Sequence, residues 1–328
     1  MEIKILNETE IRQCVSLDLE AVKAVEEAFV ALSEGRATTP LMSIPVPQHN
    51  GEMHVKSAVI QGFDSFAVKV ASGFFDNPKL GLPSSSGMML LFNARTGFPQ
   101  AVLLDNGYLT HTRTGAAGAM VAKHFAPREF VTAGVIGAGR QGRDQLRALH
   151  LVRNFKRALV YDKDPDRLNQ FVTEMKSALD VDVTAAPSAE RVVRECEYLV
   201  TATPSREPFV RAEWLHPGLH ITAMGADNGH KQELFPEVLA RADRRICDLR
   251  SQVFRLGDHH FAAEAGLLSA EDAVDEIGEV VSGRKPGRTS SEEITVCDLT
   301  GVGIQDTAIA LLTYQKAEVR GLGLKIAS

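Results

Sequence analysis

The chain has 328 residues, enough for two domains with separate cores. Its formal net charge of −6 is spread along the chain. No basic stripe marks a nucleic acid or an anionic membrane as partner, because both require one. The four cysteines, Cys14, Cys196, Cys247 and Cys297, form no C-x-x-C pair and none sits beside a histidine at metal-ligand spacing. No apolar run reaches the ~20 residues of a membrane span, and residues 1–13 hold no apolar core of signal-peptide length. A reduced, cytoplasmic setting is the expectation, with the thiols as core fillers.

In chain order, residues 17–32 carry a helical stripe at Leu19, Val22, Val25, Phe29 and Leu32. Residues 52–70 read as strands around the polar break Gln61-Gly62-Phe63-Asp64, and 112–124 as an Ala-rich helix suited to close packing. From residue 131 the pattern changes. Short apolar strands are expected at 131–136, 157–161, 198–203, 220–224 and 245–247. Helices fall between them, one running through His150 and one over 166–179 behind the start signal Asp164-Pro165. Short strands alternating with helices are the mark of βαβ units and a parallel sheet. Helix returns at 304–318. The reading is an α/β fold in which a Rossmann NAD(P)-binding domain, 121–304, is inserted in a discontinuous α+β domain made of 1–120 and 305–328.

The stretch Val135-Ile136-Gly137-Ala138-Gly139-Arg140-Gln141-Gly142 matches G-x-G-x-x-G between a predicted strand and a predicted helix, the context that gives this motif meaning. Gly137 permits the tight turn, Gly139 the approach of a pyrophosphate, and Gly142 close packing of helix on strand. Arg140 and Gln141 are placed to add side-chain contacts to the same phosphates, beside the free N–H groups of the helix start. Asp162 ends the next strand, about 20 residues on, where an acid hydrogen-bonds the ribose of NAD. Its bland alternative is a helix cap. Nearby Lys163 and Arg167 leave room for NADP. Thr203, at the end of the strand 198–203, is counted with the cofactor-binding residues. A second glycine pair, Gly301-Val302-Gly303, lacks the third glycine and the downstream acid and reads as a turn.

Several segments together resemble the ornithine cyclodeaminase and mu-crystallin family. They are Phe66-Ala67-Val68-Lys69, Gly81-Leu82-Pro83-Ser84, the stretch 90–97, Thr112-Arg113-Thr114-Gly115-Ala116-Ala117, Gly225-Ala226-Asp227 and the stretch 298–306. The stretches 73–83 and 105–110 are similar to the ectoine-utilisation branch. The resemblance spans nearly the whole chain. It implies a homodimer, a substrate-binding and dimerisation role for the discontinuous domain, and chemistry at the Cα–N bond of a small amino acid or imino acid. Members include amino-acid dehydrogenases, imine reductases and redox-neutral cyclodeaminases, and mu-crystallin-like members act as binding proteins.

Lys69 alternates with small residues, sharing a face with Ala67 and Ala71 while Phe66, Val68 and Val70 fill the other. Taken alone it reads as a solvated or snorkelling lysine. The resemblance makes it catalytic and substrate-binding. Arg113, read as beginning a helix, offers a planar fork suited to an α-carboxylate, and the resemblance assigns it that role. Asp227 follows a strand end, where open α/β sheets bind ligands. The resemblance places the general acid/base there; a loop or cap residue is the alternative. Cyclodeaminases of the family carry an acid thirteen residues before the catalytic lysine, whereas this chain has Lys56, and Met42 stands where many members place an arginine. A cation at Lys56 repels a distal ammonium and attracts a carboxylate, which favours a dehydrogenase or imine reductase; an edge-strand lysine facing solvent is the alternative. His259-His260 is read as loop or helix-start polarity, since sequence neighbours do not face one ligand.

Overall fold

The computed structural model describes residues 2–269 and 271–327. The chain begins with β1 (Glu2–Asn7), α1 (Glu8–Cys14), α2 (Leu19–Ser33), β2 (Ala37–Thr38), β3 (Leu41–Val46), β4 (Gly51–Ile60), β5 (Ser65–Phe74), β6 (Ser85–Asn93), β7 (Pro99–Leu104) and α3 (Tyr108–Phe125). It continues through β8 (Thr132–Ile136), α4 (Arg140–Val152), β9 (Arg157–Tyr161), α5 (Pro165–Ala178), β10 (Asp182–Ala185), α6 (Ala189–Glu195), β11 (Tyr198–Thr201) and β12 (His220–Ala223). Next come α7 (Pro236–Arg241), β13 (Arg244–Cys247), α8 (Arg250–Leu256), α9 (Asp258–Glu264), β14 (Asp275–Glu276), α10 (Ile277–Val281) and β15 (Thr295–Asp298). The last elements are α11 (Gly303–Arg320) and β16 (Leu324–Ala327). No helix among the described residues is long and apolar enough to cross a membrane.

The chain divides into two compact units, one made of the residues up to Ala116 with those from Val302 onward, the other of Ala117–Gly301. The first division falls inside α3, where composition does not change, so a boundary drawn at 120 from pattern has nothing local to locate it.

The first unit is built on a mixed sheet ordered β16-β1-β7-β6-β5-β4-β2, with β3 also paired to β4. All pairings are antiparallel except β1 with β7. Strand alternation sorts the residues of β5. Ala67 and Lys69 are buried, and their face packs on the helical core that includes Ile11, Ala21, Ile309 and Ala310. The other face was read as filled by Phe66, Val68 and Val70, but these are only half-buried. They belong to an apolar face that also holds Met42, Ile44, Met88 and Leu104, each at least 40% exposed. Alternation reports which residues share a face; it does not report whether anything covers that face.

Helix α11 is buried along its first turns because it lies on β4 and β5. Thr307 is the point of attachment. Its hydroxyl donates to the Ala58 carbonyl at 2.8 Å and accepts the Ala67 N–H at 3.0 Å, bridging two residues that pair across the ladder. The neighbouring Asp306 is thereby set beside Lys69.

The second unit is a fully parallel sheet ordered β10-β9-β8-β11-β12-β15-β13-β14. Its inner strands β8, β11, β12 and β15 are buried along their whole length, as parallel strands covered on both faces require. The Asp164-Pro165 signal starts α5 as expected, with the Asp164 carboxylate accepting the N–H groups of Asp166 and Arg167. Gly301 and Val302 lie in the short connection between β15 and α11, and Gly303 opens the helix. Two strands stop short of their expected ends, at Thr201 and Ala223, which leaves Thr203 and Met224 in the turns that follow.

Thr307→Val keeps the shape of the α11 attachment but leaves the buried Ala67 N–H without an acceptor. Such a loss costs ~1–3 kcal/mol. Denaturant unfolding of this variant should show a matching drop; an unchanged midpoint would remove Thr307 as the attachment.

Candidate active site

In the second unit, the residues singled out from sequence gather at the carboxyl ends of the parallel strands. The turn after β8 needs glycine. Gly137 has φ +107°, and a Cβ there would lie 2.5 Å from the Ala202 carbonyl oxygen. A Cβ on Gly142 would lie 2.1 Å from the Gly137 oxygen, so α4 could not pack on the turn. A Cβ on Gly139 would meet nothing within 4 Å, so the turn is open on that side. Gly139 is the N-cap of α4 and itself offers no side chain to the first N–H groups of the helix. Open space beside donors at a helix start is what a pyrophosphate needs, so these residues fit a dinucleotide.

Asp162 follows β9 and is half-buried. It joins the turn: one carboxylate oxygen accepts the Ala138 N–H at 2.7 Å and the other the Asp164 N–H at 2.9 Å. Arg140 does not aim along the turn but pairs with Asp144 on its own helix, Nε to Oδ2 2.8 Å. Gln141 lies in the first turn of α4, part-buried. The arginine that grips the loop is Arg143, which the sequence reading passed over. It donates to the carbonyls of Ala138 and Gly139 and pairs with Glu174 at 2.5 Å. Thr203 donates through its N–H and its hydroxyl to Glu233, at 2.7 and 2.8 Å. Asp227 is held by Lys231, Nζ to Oδ1 2.8 Å. Neither Glu233 nor Lys231 carried a sequence signal beyond its place in a loop.

His259 and His260 lie at the start of helix α9, the second of the two places allowed for them. His259 is fully buried, with Nδ1 2.9 Å from Asp298 Oδ2, while His260 lies 3.4 Å from Glu264. Each has its own carboxylate.

In the first unit, Lys69 and Arg113 meet on one carboxylate. Lys69 Nζ is 3.1 Å from Asp306 Oδ2, and Arg113 Nε is 3.0 Å from Asp306 Oδ1. Arg113 Nη1 also donates to Gln305 Oε1 at 3.2 Å. Arg113 does not begin its helix, as was read. It sits in the second turn of α3, which starts at Tyr108 after Asp105 accepts the Leu109 N–H at 2.8 Å. Lys56 stands directly across the β4–β5 ladder from Lys69, in a strand flanked on both sides, so it is not the edge lysine allowed for above. Lys56, Lys69, Arg113 and Asp306 are each at most 5% exposed. Burial pulls the Lys69 pKa down to about 7, the positive charges of Arg113 and Lys56 pull with it, and Asp306 opposes them. Met42 points away, exposed on the apolar face.

A parallel sheet with an open glycine turn and an acid after the following strand is the architecture of a nucleotide-dependent α/β enzyme, and in the other unit a buried lysine and arginine meet on one carboxylate. The chain belongs to the ornithine cyclodeaminase/mu-crystallin family, whose pattern matches residues 1–321. It is 47% identical to an uncharacterised cyclodeaminase of Sinorhizobium fredii over 98% of both chains. Its fold is similar to a Thermococcus litoralis Δ1-pyrroline-2-carboxylate reductase in complex with NADH and L-proline (TM-score 0.94, 33% identity, 99% of this chain and 100% of that one). It is also similar to an archaeal alanine dehydrogenase dimer with bound NAD (TM-score 0.92, 37% identity, 100% and 99%).

Asp306→Asn would leave two buried cations without their shared counter-charge. Removing one partner of a buried pair costs ~3–5 kcal/mol. Unfolding of the variant in guanidinium measures this; a loss under ~1 kcal/mol would show that the triad does not hold the first unit together.

Proposed function

We propose that the chain is an NAD(P)-dependent oxidoreductase acting at the Cα–N bond of a small amino acid, an amino-acid dehydrogenase or imine reductase, working as a cytoplasmic homodimer. The observation that carries the reading is the Lys69–Asp306–Arg113 triad with Lys56 across the ladder, a buried set of cations suited to a carboxylate. The relatives that bind NAD or NADH and are named for alanine and proline chemistry support it. The open apolar face at Met42, Ile44, Met88 and Leu104 supports pairing with a second copy, and four buried free cysteines fit a reducing compartment.

Gly137, Gly139 and Gly142, with the first N–H groups of α4, would hold the pyrophosphate. Asp162 would hold the adenosine ribose, which favours NAD over NADP. Gln141 and Thr203 would complete the lining. Bound nicotinamide supplies the acceptor or donor of hydride. Arg113 and Lys69 bind the substrate carboxylate and orient Cα for hydride transfer. Asp227, kept in place by Lys231, takes the proton of the substrate nitrogen or of attacking water in one direction and returns it in the other. Lys56 disfavours a distal ammonium, which argues against the ornithine-type lyase outcome.

The test follows cofactor absorbance with a panel of amino acids, ornithine among them, and with imines in reverse. Net NADH formation from at least one amino acid, with NAD preferred to NADP, is the expected result. Conversion of ornithine with no net NADH would establish the redox-neutral lyase instead.

The Lys69 pKa near 7 gives a second expectation. Its ammonium is the carboxylate-binding form, present below about pH 7 and lost above. The value of kcat/KM for reduction of a cyclic imino acid should therefore fall as pH rises through about 7, because this parameter reports the free enzyme. Lys69→Arg keeps its charge and should lack that limb. Titration of the substrate is common to both enzymes, so a limb that persists in the variant would assign it to another group.

A further inference from the structure

Glu233 lies in the second unit between Gln232 and β12's neighbouring segments, and it is wholly buried. Its backbone is pinned on both sides: the Asp258 carboxylate accepts the N–H groups of Glu233 and Leu234 at 3.0 and 2.9 Å, and the Glu233 carbonyl accepts those of Phe209 and Val210. Its side chain is therefore delivered from a rigid base.

A carboxylate has two oxygens and about four lone-pair positions. Glu233 uses four. Oε1 accepts the Thr203 N–H at 2.7 Å and the Thr203 hydroxyl at 2.8 Å. Oε2 accepts the Thr201 hydroxyl at 2.6 Å and the Gly225 N–H at 2.8 Å. Three of these donors belong to the two turns that follow adjacent parallel strands, β11 and β12. The approach is close enough that a Cβ on Gly225 would lie 2.2 Å from the Thr203 oxygen and 2.4 Å from the Glu233 carboxyl carbon. Two residues before Glu233, Lys231 holds Asp227. One short segment thus secures both ends of the 225–227 turn and ties it to the turn carrying Thr203. Strand-end crevices are where open α/β sheets hold their ligands, so the backbone fixed here is the backbone a ligand would meet. Burial pushes the Glu233 carboxyl pKa up, and its four donors oppose that shift without cancelling it.

We infer that Glu233 is a positioning residue of the cofactor and acid–base site, a carboxylate clamp that fixes the Thr203 turn against the Gly225–Asp227 turn. The inference rests on the dinucleotide reading of the second unit.

The experiment compares wild type, Glu233→Gln and Thr201→Val. A glutamine oxygen accepts two donors at most and its NH2 accepts none, so about half of the clamp is lost at nearly constant volume. Thr201→Val removes one donor that lies in the strand, outside both turns. Hydrogen exchange of the peptides 199–206 and 222–229, without ligand, reads the clamp itself. NADH titration by fluorescence reads the site. Glu233→Gln should exchange faster in both peptides and bind NADH about tenfold more weakly, with Thr201→Val shifted the same way by about threefold. General loss of stability lowers the number of binding sites and leaves the dissociation constant of the folded molecules alone, so the affinity separates positioning from mere support. Unchanged exchange in both variants, or exchange that quickens with NADH affinity unchanged within twofold, overturns the clamp while leaving the dinucleotide reading intact. A wild-type chain that binds no NADH overturns the dinucleotide reading and the proposal with it. If Glu233→Gln fails to fold, Thr201→Val decides by the same two measurements.

Discussion

The first unit depends on Asp306. Two buried cations, Lys69 from a strand and Arg113 from a helix, reach it from different elements, and neither has much access to water. An isolated buried cation is unstable and responds by losing its proton or drawing in a counter-charge. Lys69 does the first in part, its pKa falling to about 7, and Asp306 supplies the second. Arg113 cannot give up its proton, so its position is the more rigid constraint. The arrangement forces α11 to run close over β4 and β5, and Thr307, one residue beyond Asp306, satisfies backbone groups of both strands in doing so. A buried ion cluster of this kind is poor as a source of stability, since desolvation consumes most of what the charges return. What it supplies is a defined place for charge.

The second unit solves a different problem. Its strands are parallel and buried, so their carboxyl-end turns must satisfy many backbone groups without a neighbouring strand. Carboxylates do this work. Asp162 takes N–H groups of Ala138 and Asp164, Glu233 takes those of Thr203 and Gly225, and Asp258 takes those of Glu233 and Leu234. A carboxylate accepts more bonds than any neutral side chain of its size, which makes it the economical partner for turns that must not move.

Local features were legible in the sequence because they obey local rules. The strand–turn–helix around Gly137, the start of α5 at Asp164-Pro165, and the alternation that puts Lys69 on a face with Ala67 all follow from a few consecutive residues. What was not legible is what distance in sequence hides. Asp306 and Arg113 are 193 positions apart, so no spacing could pair them. The helix-start position of His259 gives no sign that Asp298, 39 positions away, meets it in the core. The start of α3 was missed because Asp105-Asn106-Gly107 is a cap whose meaning lies in a φ of +51° at Asn106 and a carboxylate turned back onto Leu109. Short strands such as β10 and β14 carry too few residues to show a period.

Lys56 brings the two levels together. Like charges directly opposite on an antiparallel ladder destabilise it, and Lys56 faces Lys69 in just that way. Burial of both makes the repulsion stronger than it would be at a surface, and it contributes to the low pKa of Lys69. A sequence selected for stability alone would place an apolar or acidic residue at one of these positions. Local rules are broken where function requires it, and the break indicates what function requires. Here two ammonium groups share a face with a guanidinium, and the proposed substrate brings a carboxylate. Asp306 supplies one counter-charge to this group, and burial leaves little water to screen the rest. On the proposed reading, this cationic face would attract a substrate carboxylate and repel a distal ammonium by the same electrostatics.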